Sequence, residues 1–448
     1  MTETQLRWRS VGVFCVGLVA LLALHRARPG TTSIGLGLYG TVVVTYLLVK
    51  LLAAGAYRPM DRNVPRLSVA VVIPFFNEDP TLFERCLRSV LAQDKSPDEV
   101  YVIDDGSANR DCYFVAERLA TEFPVLRVRR SPENRGKRHA QEAAFRSTDC
   151  DVIVTMDSDT TLDADALSNG LQPFRRHRTK AVCGNVRVLN HTENWLSRLI
   201  AVRYSNAFEY ERAAYSVFDS LLCATGVFTL WRTEVIKGNL DDYVTQTFLG
   251  VPVTYGDDRR LTNYALMMGT VVFQSTAIAR TLAPTKLRHF VRQQIRWNKS
   301  FFRETLYALR HLPIHRPVWW MALFELGLWV GFTVALLIAV TVQPLVAGYW
   351  VGFYYLGNLA IMSYVRSARH SSVDGLGFLL APLYGLLHLL VLTPLRVYSL
   401  CTLRDGRWGT RQAGVEIGVD AEEYEKASID RADRRGPDGG GLRGASIR

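Results

Sequence analysis

The sequence predicts an α/β domain, built on a mostly parallel sheet, that is inserted between helical membrane-spanning segments. Short runs rich in valine and isoleucine alternate with helical stretches from Leu67 to about Arg280, a pattern typical of parallel strands joined by helices. Apolar segments that approach or exceed the roughly 20 residues needed to cross a bilayer flank this region on both sides. The junction FVRQQIRWNKSFFRE, residues 290–304, joins cationic to aromatic side chains, as amphipathic helices at a membrane surface do.

Composition narrows the classes of partner. The chain has 448 residues and a formal net charge of +11, so an anionic partner is expected. The basic residues are spread along the chain and form no known nucleic-acid motif, so we expect no nucleic acid among the partners. The seven cysteines include no Cys-x-x-Cys pair and no histidines at zinc spacing. This usage favours reduced thiols facing a cytosol.

Residues 1–58 are predicted to form a transmembrane hairpin. Val11–Leu24 is apolar but short and has basic flanks, so a signal peptide is an alternative interpretation. Ser33–Tyr57 follows at once and is long enough to span a bilayer, which favours the hairpin. Arg58 and the arginines that follow it place the next domain, residues 59–285, in the cytoplasm.

In the domain at 59–285, four runs end in polar or turn residues: LSVAVVIPFFNE, EVYVIDDGS, VLRVRRS and DVIVTMDSD. We expect them to form parallel strands buried on both faces. Ligands of such sheets bind beyond the carboxyl ends of the strands. Acidic residues stand at those ends, so chemistry is expected there.

The C-terminal part is predicted to return to the membrane. Val318–Val340 and Val342–Val365 are each long enough to cross it. Glu325 should face protein or a channel, because lipid-exposed charge is expensive. Leu376–Leu400 contains two prolines and could be one crossing, a broken hairpin, or an interfacial helix followed by a crossing. The predicted units are an interface helix at 286–316, transmembrane or interface helices at 317–402, and a polar tail, largely disordered, at 403–448.

Paired carboxylates follow two of the predicted strands. Asp157 and Asp159 in VTMDSDT are two residues apart, so their side chains lie on the same side of an extended chain. Such hard oxygen ligands suit Mg²⁺ or Mn²⁺ bridging a diphosphate; the alternative is a solvated turn, in which Asp is also common. Asp104 and Asp105 end another strand and could accept hydrogen bonds from a nucleobase or ribose.

Two further motifs carry charge. ENRGKRHA places Lys137 and Arg138 after a glycine turn, where they could neutralise phosphate or form a basic solvated loop. YGDDRRLT places Asp257 and Asp258 just before a predicted helix. One of them could be a general base that takes a proton from an attacking hydroxyl. Taken alone, this motif favours the alternative role of helix N-cap.

The junction segment predicts an amphipathic helix with its cations directed towards polar contents. At about 3.6 residues per turn, one stripe collects its cations and a different face its apolar residues. The stripe contains Arg288, Arg292, Arg296, Lys299 and Arg303, and the apolar face contains Leu287, Phe290, Val291, Phe301 and Phe302. Gln293, Arg296 and Trp297 can line one pocket wall, with the arginine on a departing diphosphate and the tryptophan on a sugar ring. A plain cationic anchoring helix is the alternative.

Together these motifs resemble the membrane-embedded processive family-2 glycosyltransferases, the group that contains hyaluronan, chitin and cellulose synthases. The match is to Asp-x-Asp, to Gly-Asp-Asp-Arg at 256–259 and to Gln-x-x-Arg-Trp at 293–297, and it covers residues from about Ser68 to Arg411. Within the group, NRGKRHA, GDDRRLTNYAL, RQQIRWNKSFFRE and WGTR look most like hyaluronan synthase. CATG at 223–226 lacks the proline of that family's usual Cys-x-Gly-Pro loop.

The resemblance implies a glycosyltransferase-A-like, Rossmann-like fold for the cytoplasmic domain and roles for single residues in donor binding. Asp105 would hold the uridine, with Asp104 beside it. Lys137 would contact the nucleotide or its diphosphate. Asp159, with Asp157, would bind Mg²⁺ or Mn²⁺.

The resemblance also implies residues for the transfer itself. Asp258 would be the base that deprotonates the acceptor hydroxyl, with Asp257 supporting it. The neighbouring contacts would come from Arg296 at the diphosphate, from Gln293 and Trp297 beside the acceptor, and from Cys223 near the acceptor sugar. The gating loop over the bound nucleotide sugar would consist of Trp408, Gly409, Thr410 and Arg411.

The implied reaction is a single displacement with inversion, in which an activated hydroxyl attacks the anomeric carbon as UDP leaves. The implied enzyme is a multi-pass hyaluronan synthase of the plasma membrane, which polymerises UDP-GlcNAc and UDP-GlcA and passes the nascent polysaccharide through the lipid bilayer. The alternatives are a chitin or chitooligosaccharide synthase using UDP-GlcNAc only, a transferase that acts once on a lipid-linked sugar, and a non-catalytic membrane scaffold. The sequence leaves the oligomeric state open.

Overall fold

The computed structural model describes residues 34–405, apart from 62, 343–344, 346–349 and 369, together with scattered residues between 12 and 23. The first predicted membrane segment, Val11–Leu24, therefore lies only partly within the described residues. The predicted gating loop and the rest of the polar tail from residue 406 lie wholly outside them.

The described strands form one large sheet and a small hairpin. The strands are β1 (Val69–Phe75), β2 (Glu99–Asp104), β3 (Leu126–Arg130), β4 (Val152–Met156), β5 (Thr161–Leu162), β6 (Thr179–Val188), β7 (Phe228–Arg232), β8 (Thr247–Phe248), β9 (Val251–Pro252) and β10 (Thr270–Thr281). The large sheet has eight strands in the order β3-β2-β1-β4-β7-β6-β10-β5, and β8 pairs with β9. β1 to β4 pair in parallel, as do β6 and β10, whereas β7 runs antiparallel to both of its neighbours. The predicted mostly parallel sheet is confirmed.

Helices cover the sheet and continue beyond it. In the sheet domain they are α2 (Pro80–Leu91), α3 (Asp111–Glu122), α4 (Lys137–Phe145), α5 (Ala166–Leu171), α6 (Trp195–Ser205), α7 (Ala213–Val217), α8 (Thr233–Lys237), α9 (Leu240–Val244) and α10 (Asp257–Met268). Outside it they are α1 (Ile34–Ala56), α11 (Leu287–His311), α12 (Pro317–Thr341), α13 (Trp350–Arg366), α14 (Gly375–Leu379), α15 (Ala381–Leu387) and α16 (Thr393–Cys401). Short 3₁₀ turns lie at Gln172–Arg175 and His370–Ser372, and π-helical segments at Asn206–Arg212 and His388–Leu392.

Burial explains why the strands lack an alternating pattern. Every residue of β1 and β4 is buried, because helices cover both faces of the sheet, and apolar side chains are then needed at every position. β3 is different. It lies at the edge of the sheet and exposes Arg127 and Arg129, so the expectation that all four runs are buried on both faces is wrong for this strand. Charged side chains on an edge strand discourage pairing with another chain.

Three of the described helical stretches are long and apolar enough to cross a membrane. They are Tyr39–Ala56, Pro317–Thr341 and Ala381–Cys401. The last combines α15, a π-helical segment and α16, so the predicted stretch Leu376–Leu400 consists mainly of the short α14 followed by one continuous helix. Of the predicted stretch Val342–Val365, the described helical part is α13, which has 17 residues.

A polar network inside the apolar helices joins them to the sheet domain. The carboxylate of Glu325, in α12, lies 2.8 Å from the Lys50 ammonium of α1. Glu325 also accepts hydrogen bonds from the hydroxyl groups of Tyr46 and Tyr215, and Tyr215 belongs to α7. The expectation that Glu325 faces protein is confirmed. Pairing offsets the cost of a carboxylate among apolar helices.

Candidate active site

The candidate site lies at the carboxyl ends of the parallel strands, next to β1. The chain adds β2 and β3 on one side of β1 and then β4 on its other side. β1 lies between β2 and β4, so the acidic residues that follow β2 and β4 flank the carboxyl end of β1. Open α/β sheets bind ligands at such a switch point. β7 is antiparallel to β4, with Phe228 opposite Met156. The CATG loop that leads into β7 therefore reaches the same edge.

Lys137 brings three of the sequence motifs together. Its ammonium nitrogen lies 2.5 Å from Asp157 Oδ1 and 3.6 Å from Asp257 Oδ2. A Cβ atom at Gly226, in the CATG loop, would lie 3.5 Å from the same nitrogen. Residues from four separate stretches of the chain therefore surround one polar space.

Asp159 does not lie in a solvated turn. Its side chain is buried, and the hydroxyl groups of Thr160 and Thr281 donate to its Oδ1 at 3.2 and 3.3 Å. Burial, together with the charge of Asp157, raises the pKa of Asp159 to about 7. The solvated-turn alternative is therefore wrong for Asp159, whereas Asp157 stays partly exposed.

The donor set fits a divalent ion that is shared with a diphosphate. Asp157 and Asp159 supply carboxylate oxygens, and a bound cation would offset the repulsion that raises the pKa of Asp159. Within the described part of the chain, no group of three or more His, Cys, Asp and Glu side chains could hold a metal. Mg²⁺ usually binds through one or two carboxylates plus substrate phosphates and waters, so two carboxylates are sufficient.

Asp257 and Asp258 occupy the first turn of α10. The N-cap of this helix is Gly256, in a left-handed conformation with φ +87°, so the N-cap role considered for the two aspartates is wrong. Burial and then the neighbouring charge of Asp257 raise the pKa of Asp258. Asp258 Oδ2 lies 3.8 Å from the sulfur of Cys223. The carboxylate considered as a base and the cysteine considered for the acceptor site are thus in contact.

Neutralising Asp257 should move the pH dependence of transfer. In Asp257→Asn, the charge that raises the pKa of Asp258 is lost, while Lys137 remains nearby and favours the carboxylate. Asp258 then stays ionised to lower pH, so the acidic limb of kcat should shift to lower pH. The profile is measured at saturating donors from acidic to neutral pH, with Asp241→Asn on the exposed surface as control. If the acidic limb of kcat does not move, the charge of Asp257 does not control the protonation of the catalytic base.

Asp104 and Asp105 have different surroundings although both are buried. Asp105 accepts hydrogen bonds from the backbone N–H groups of Arg135 and Gly136, at 3.0 and 2.9 Å. It thereby holds the loop that presents Lys137. Asp104 is fully buried; it accepts from Ser107 N at 2.8 Å and lies 3.3 Å from the Arg130 guanidinium. Asp104 therefore orders the turn after β2, and the uridine role of Asp105 stays a prediction.

Arg138 points away from the site. Its guanidinium is buried and donates to the carbonyl oxygens of Tyr243 and Tyr255. The phosphate-neutralising role considered for both basic residues is therefore wrong for Arg138 and stays a prediction for Lys137. Arg138 instead ties α4 to α9 and to the loop before α10.

The cationic stripe of α11 divides into two parts. Arg288 is exposed and Arg296 half-buried, whereas Lys299 and Arg303 are buried against the chain after α16. The Lys299 ammonium donates to the Asp405 carbonyl at 3.2 Å, and the Arg303 guanidinium donates to the same oxygen at 3.1 Å. The expectation that the whole stripe faces polar contents is wrong for its C-terminal half. These two cations satisfy backbone carbonyls instead.

The Gln-x-x-Arg-Trp residues lie on the part of α11 that borders the Gly-Asp-Asp loop. Gln293 is half-buried, and the Trp297 side chain is 43% exposed. Burial raises the pKa of Tyr255, and the cations of Arg303 and Arg296 oppose that rise. Arg296 therefore lies within electrostatic range of the residue that precedes Gly256.

Gly256 is a position where any added side chain would be strained. Its φ is +87°, and an added Cβ would lie 2.5 Å from the Ser300 hydroxyl oxygen of α11. We expect Gly256→Ala to lower the free energy of unfolding by about 1–2 kcal/mol from the backbone conformation alone, with the clash in addition, and to lower activity. Thermal unfolding and transfer rate are measured beside Gly250→Ala. Gly250 has φ +79° and no atom near its added Cβ, so equal effects of the two substitutions would contradict the importance of the Ser300 contact.

Two side chains at the site were not singled out from the sequence. Glu78 follows β1 and accepts a hydrogen bond from Ser158 Oγ at 2.9 Å, within the Asp-x-Asp motif. The sequence signal that could have indicated Glu78 is its position just after the central strand β1. Arg212 lies near Cys223, where its charge opposes the rise in the cysteine's pKa. Arg212 ends a π-helical segment, and no sequence pattern indicated that segment.

The comparisons with known proteins agree with the fold. The family model Glycosyl transferase family 2 matches residues 70–239. A mannosyltransferase from Pyrobaculum calidifontis, solved in complex with GDP-Man and Mn²⁺, superposes with a TM-score of 0.55 at 19% identity, covering 85% of this chain and 99% of that one. The expected glycosyltransferase-A-like fold is confirmed.

Two curated proteins are similar over most of the chain. An N-acetylglucosaminyltransferase of Rhizobium meliloti is 32% identical over 405 residues, which cover 87% of this chain and 93% of that protein. A hyaluronan synthase of Streptococcus pyogenes serotype M3 is 41% identical over 396 residues, 88% of this chain and 94% of that protein. The chain is a membrane glycosyltransferase of family 2 and belongs to the hyaluronan synthase family.

Proposed function

We propose that this site polymerises hyaluronan from UDP-GlcNAc and UDP-GlcA by inverting transfer, and that the same chain passes the product through the membrane. The observation that carries the proposal is the convergence of Lys137, Asp157 and Asp257, with Asp258 and Cys223 in contact beside them. The motifs proposed for donor binding and acceptor binding, which are distant in sequence, thus meet at one place. The 41% identity to a hyaluronan synthase supports the choice of product.

In this mechanism Asp258 takes the proton of the acceptor hydroxyl, which attacks the anomeric carbon of the donor sugar. A base with a raised pKa is suited to this task, because proton transfer is most effective when the pKa approaches the working pH. Asp257 keeps that pKa raised and holds Lys137 in place. Lys137 and Arg296 bind the diphosphate and stabilise its developing charge. Cys223, whose pKa burial raises to about 12, stays a neutral thiol that shapes the acceptor pocket.

Asp159 and Asp157 would hold a divalent cation, Mg²⁺ or Mn²⁺, on the diphosphate. When bound, the ion would act as a Lewis acid on the departing UDP. Asp157 also contacts Lys137 at 2.5 Å, so the lysine lies beside the carboxylates that would hold the ion. Asp105 would orient the uridine from the loop it holds.

The position of the apolar helices next to the site supports the proposed membrane arrangement. α11 runs along the Gly-Asp-Asp loop and is followed by α12, which is long enough to cross the bilayer. Lys50 and Glu325 bind α1 to α12. A multi-pass protein of the plasma membrane with the sheet domain in the cytoplasm would give the site access to UDP-sugars and the polymer a route out.

The donor requirement tests the proposal. Purified full-length protein in detergent or lipid is assayed with Mg²⁺ or Mn²⁺ and each UDP-sugar singly, then with both together. We expect long polymer with both donors present, as sized on a gel, and none with either alone. Polymer from UDP-GlcNAc alone would reject hyaluronan and favour the chitin-type reaction, and a single added sugar would favour the lipid-linked transferase.

A further inference from the structure

α10 and α11 pack side by side and make three contacts at regular intervals along their length. Gly256 approaches Ser300, the Arg260 guanidinium pairs with Glu304, and the rings of Tyr264 and Tyr307 meet edge to face at 6.4 Å. Residue numbers increase together along both helices, so the helices run parallel. Each successive contact falls about one turn further along each helix.

The central contact is a buried ion pair with several directional partners. Arg260 Nε lies 2.9 Å from Glu304 Oε2, and Arg260 Nη2 donates to Glu304 Oε1 at 3.1 Å. Glu304 also accepts from the side-chain amides of Gln246 at 2.7 Å and Asn263 at 3.1 Å. The Arg260 guanidinium lies 3.7 Å from the ring centre of Tyr307. Both charged residues are buried.

This pair connects the two halves of the candidate site. Arg260 follows Asp258 by two residues in the first turns of α10. On α11, Glu304 comes seven residues after Trp297 and eleven after Gln293, which at about 100° per residue places all three on one helix face. The pair therefore joins the helix that carries the proposed base to the helix that borders the leaving group and acceptor.

A buried ion pair costs desolvation energy, and apolar residues of similar volume often hold helices together as well or better. The buried ion pair differs from an apolar contact because its charges and amides have fixed partners. These partners specify one position of each helix relative to the other along their axes, which we call the axial offset. Transfer depends on such an offset, because a misplacement of about 1 Å can cost about 100-fold in rate.

We propose that Arg260 and Glu304 are positioning residues for glycosyl transfer. They fix the offset between α10 and α11 so that the hydroxyl activated by Asp258 is aligned with the anomeric carbon of the donor. The proposal rests on the proposed function. The pair contacts neither Lys137 nor the carboxylates of Asp157 and Asp159, so its loss should leave most of the proposed donor and metal contacts intact.

The test uses the coupling between UDP release and sugar incorporation. Each productive transfer releases one UDP and adds one sugar, whereas a misaligned acceptor lets water consume the donor and raises the ratio of UDP to incorporated sugar. In Glu304→Gln we expect kcat for polymer to fall about 10- to 100-fold, donor KM to stay within about twofold, and the ratio to rise above one. Asp219→Asn is the matched control, because Asp219 pairs with Arg176 at 2.7–2.9 Å away from α10 and α11.

A second variant separates positioning from folding. Arg260→Met/Glu304→Met replaces the pair by apolar side chains that keep the helices packed, and it should fold yet show the raised ratio. If the rates of UDP release and of sugar incorporation fall in proportion in folded protein, so that their ratio stays at one, the proposal is overturned. Failure of both variants to fold would make the pair structural and would overturn it as well. A wild-type protein that makes no polymer would instead reject the proposed function.

Discussion

Asp258→Asn should lower polymer formation by about 10²- to 10⁴-fold, the usual contribution of a general base. Asparagine has the same shape but cannot accept a proton at this position, so the acceptor hydroxyl stays protonated. The first turn of α10 should remain intact, because its N-cap is Gly256 and no aspartate side chain caps it. Donor binding should therefore survive, and the loss should appear in kcat.

The assay follows both UDP release and labelled polymer. Asp111→Asn is a suitable control, because Asp111 is an exposed acid in the first turn of a helix in the same domain. Polymer formation at the wild-type rate in Asp258→Asn would place the base elsewhere. If Asp258→Asn releases UDP at the same rate as the wild-type protein, the scaffold alternative is supported.

Arg296→Ala should lower kcat by about 10²- to 10³-fold, as the loss of one donor to a developing oxyanion does in other enzymes. The guanidinium is placed beside the Gly-Asp-Asp loop, where its charge reaches Tyr255. Without it, the negative charge that develops on the departing diphosphate loses a cation. Arg296→Lys keeps the charge but loses the planar fork of donors, so we expect a smaller loss.

The measurement is the initial rate at saturating donors, with Arg288→Ala as control. Arg288 belongs to the same predicted stripe on the same helix but is exposed. If the two alanine variants lose activity equally, the helix acts through its overall charge, and the anchoring-helix alternative is favoured.

Neighbouring residues show where sequence reasoning reached its limit. Lys137 and Arg138 are adjacent and both basic, yet Lys137 enters the site while Arg138 is buried against Tyr243 and Tyr255. Adjacent side chains on a helix point about 100° apart, and only the packing of α4 decides which of the two faces Asp157 and Asp257.

The C-terminal half of the cationic stripe shows the same limit over a longer range. Helical periodicity correctly grouped Lys299 and Arg303, but it could not reveal that residues after α16 return to cover them. The same holds for the Arg260–Glu304 pair: the two residues are 44 positions apart in separate motifs, and no sequence pattern links one motif to the other. Their pairing exists because α10 and α11 run in parallel.

The sequence by itself determined the first four strands, the main apolar helices, the order of the motifs and the family. These follow from local periodicity and from residue types at fixed spacing, which need no knowledge of distant contacts. The tertiary structure alone decided which charges meet: that Lys137 lies between Asp157 and Asp257, that Asp104 is enclosed while Asp157 stays partly open, and that Glu304 holds α10. The physical reason is that distances between residues far apart in the chain depend on strand order and helix packing, which no local pattern encodes.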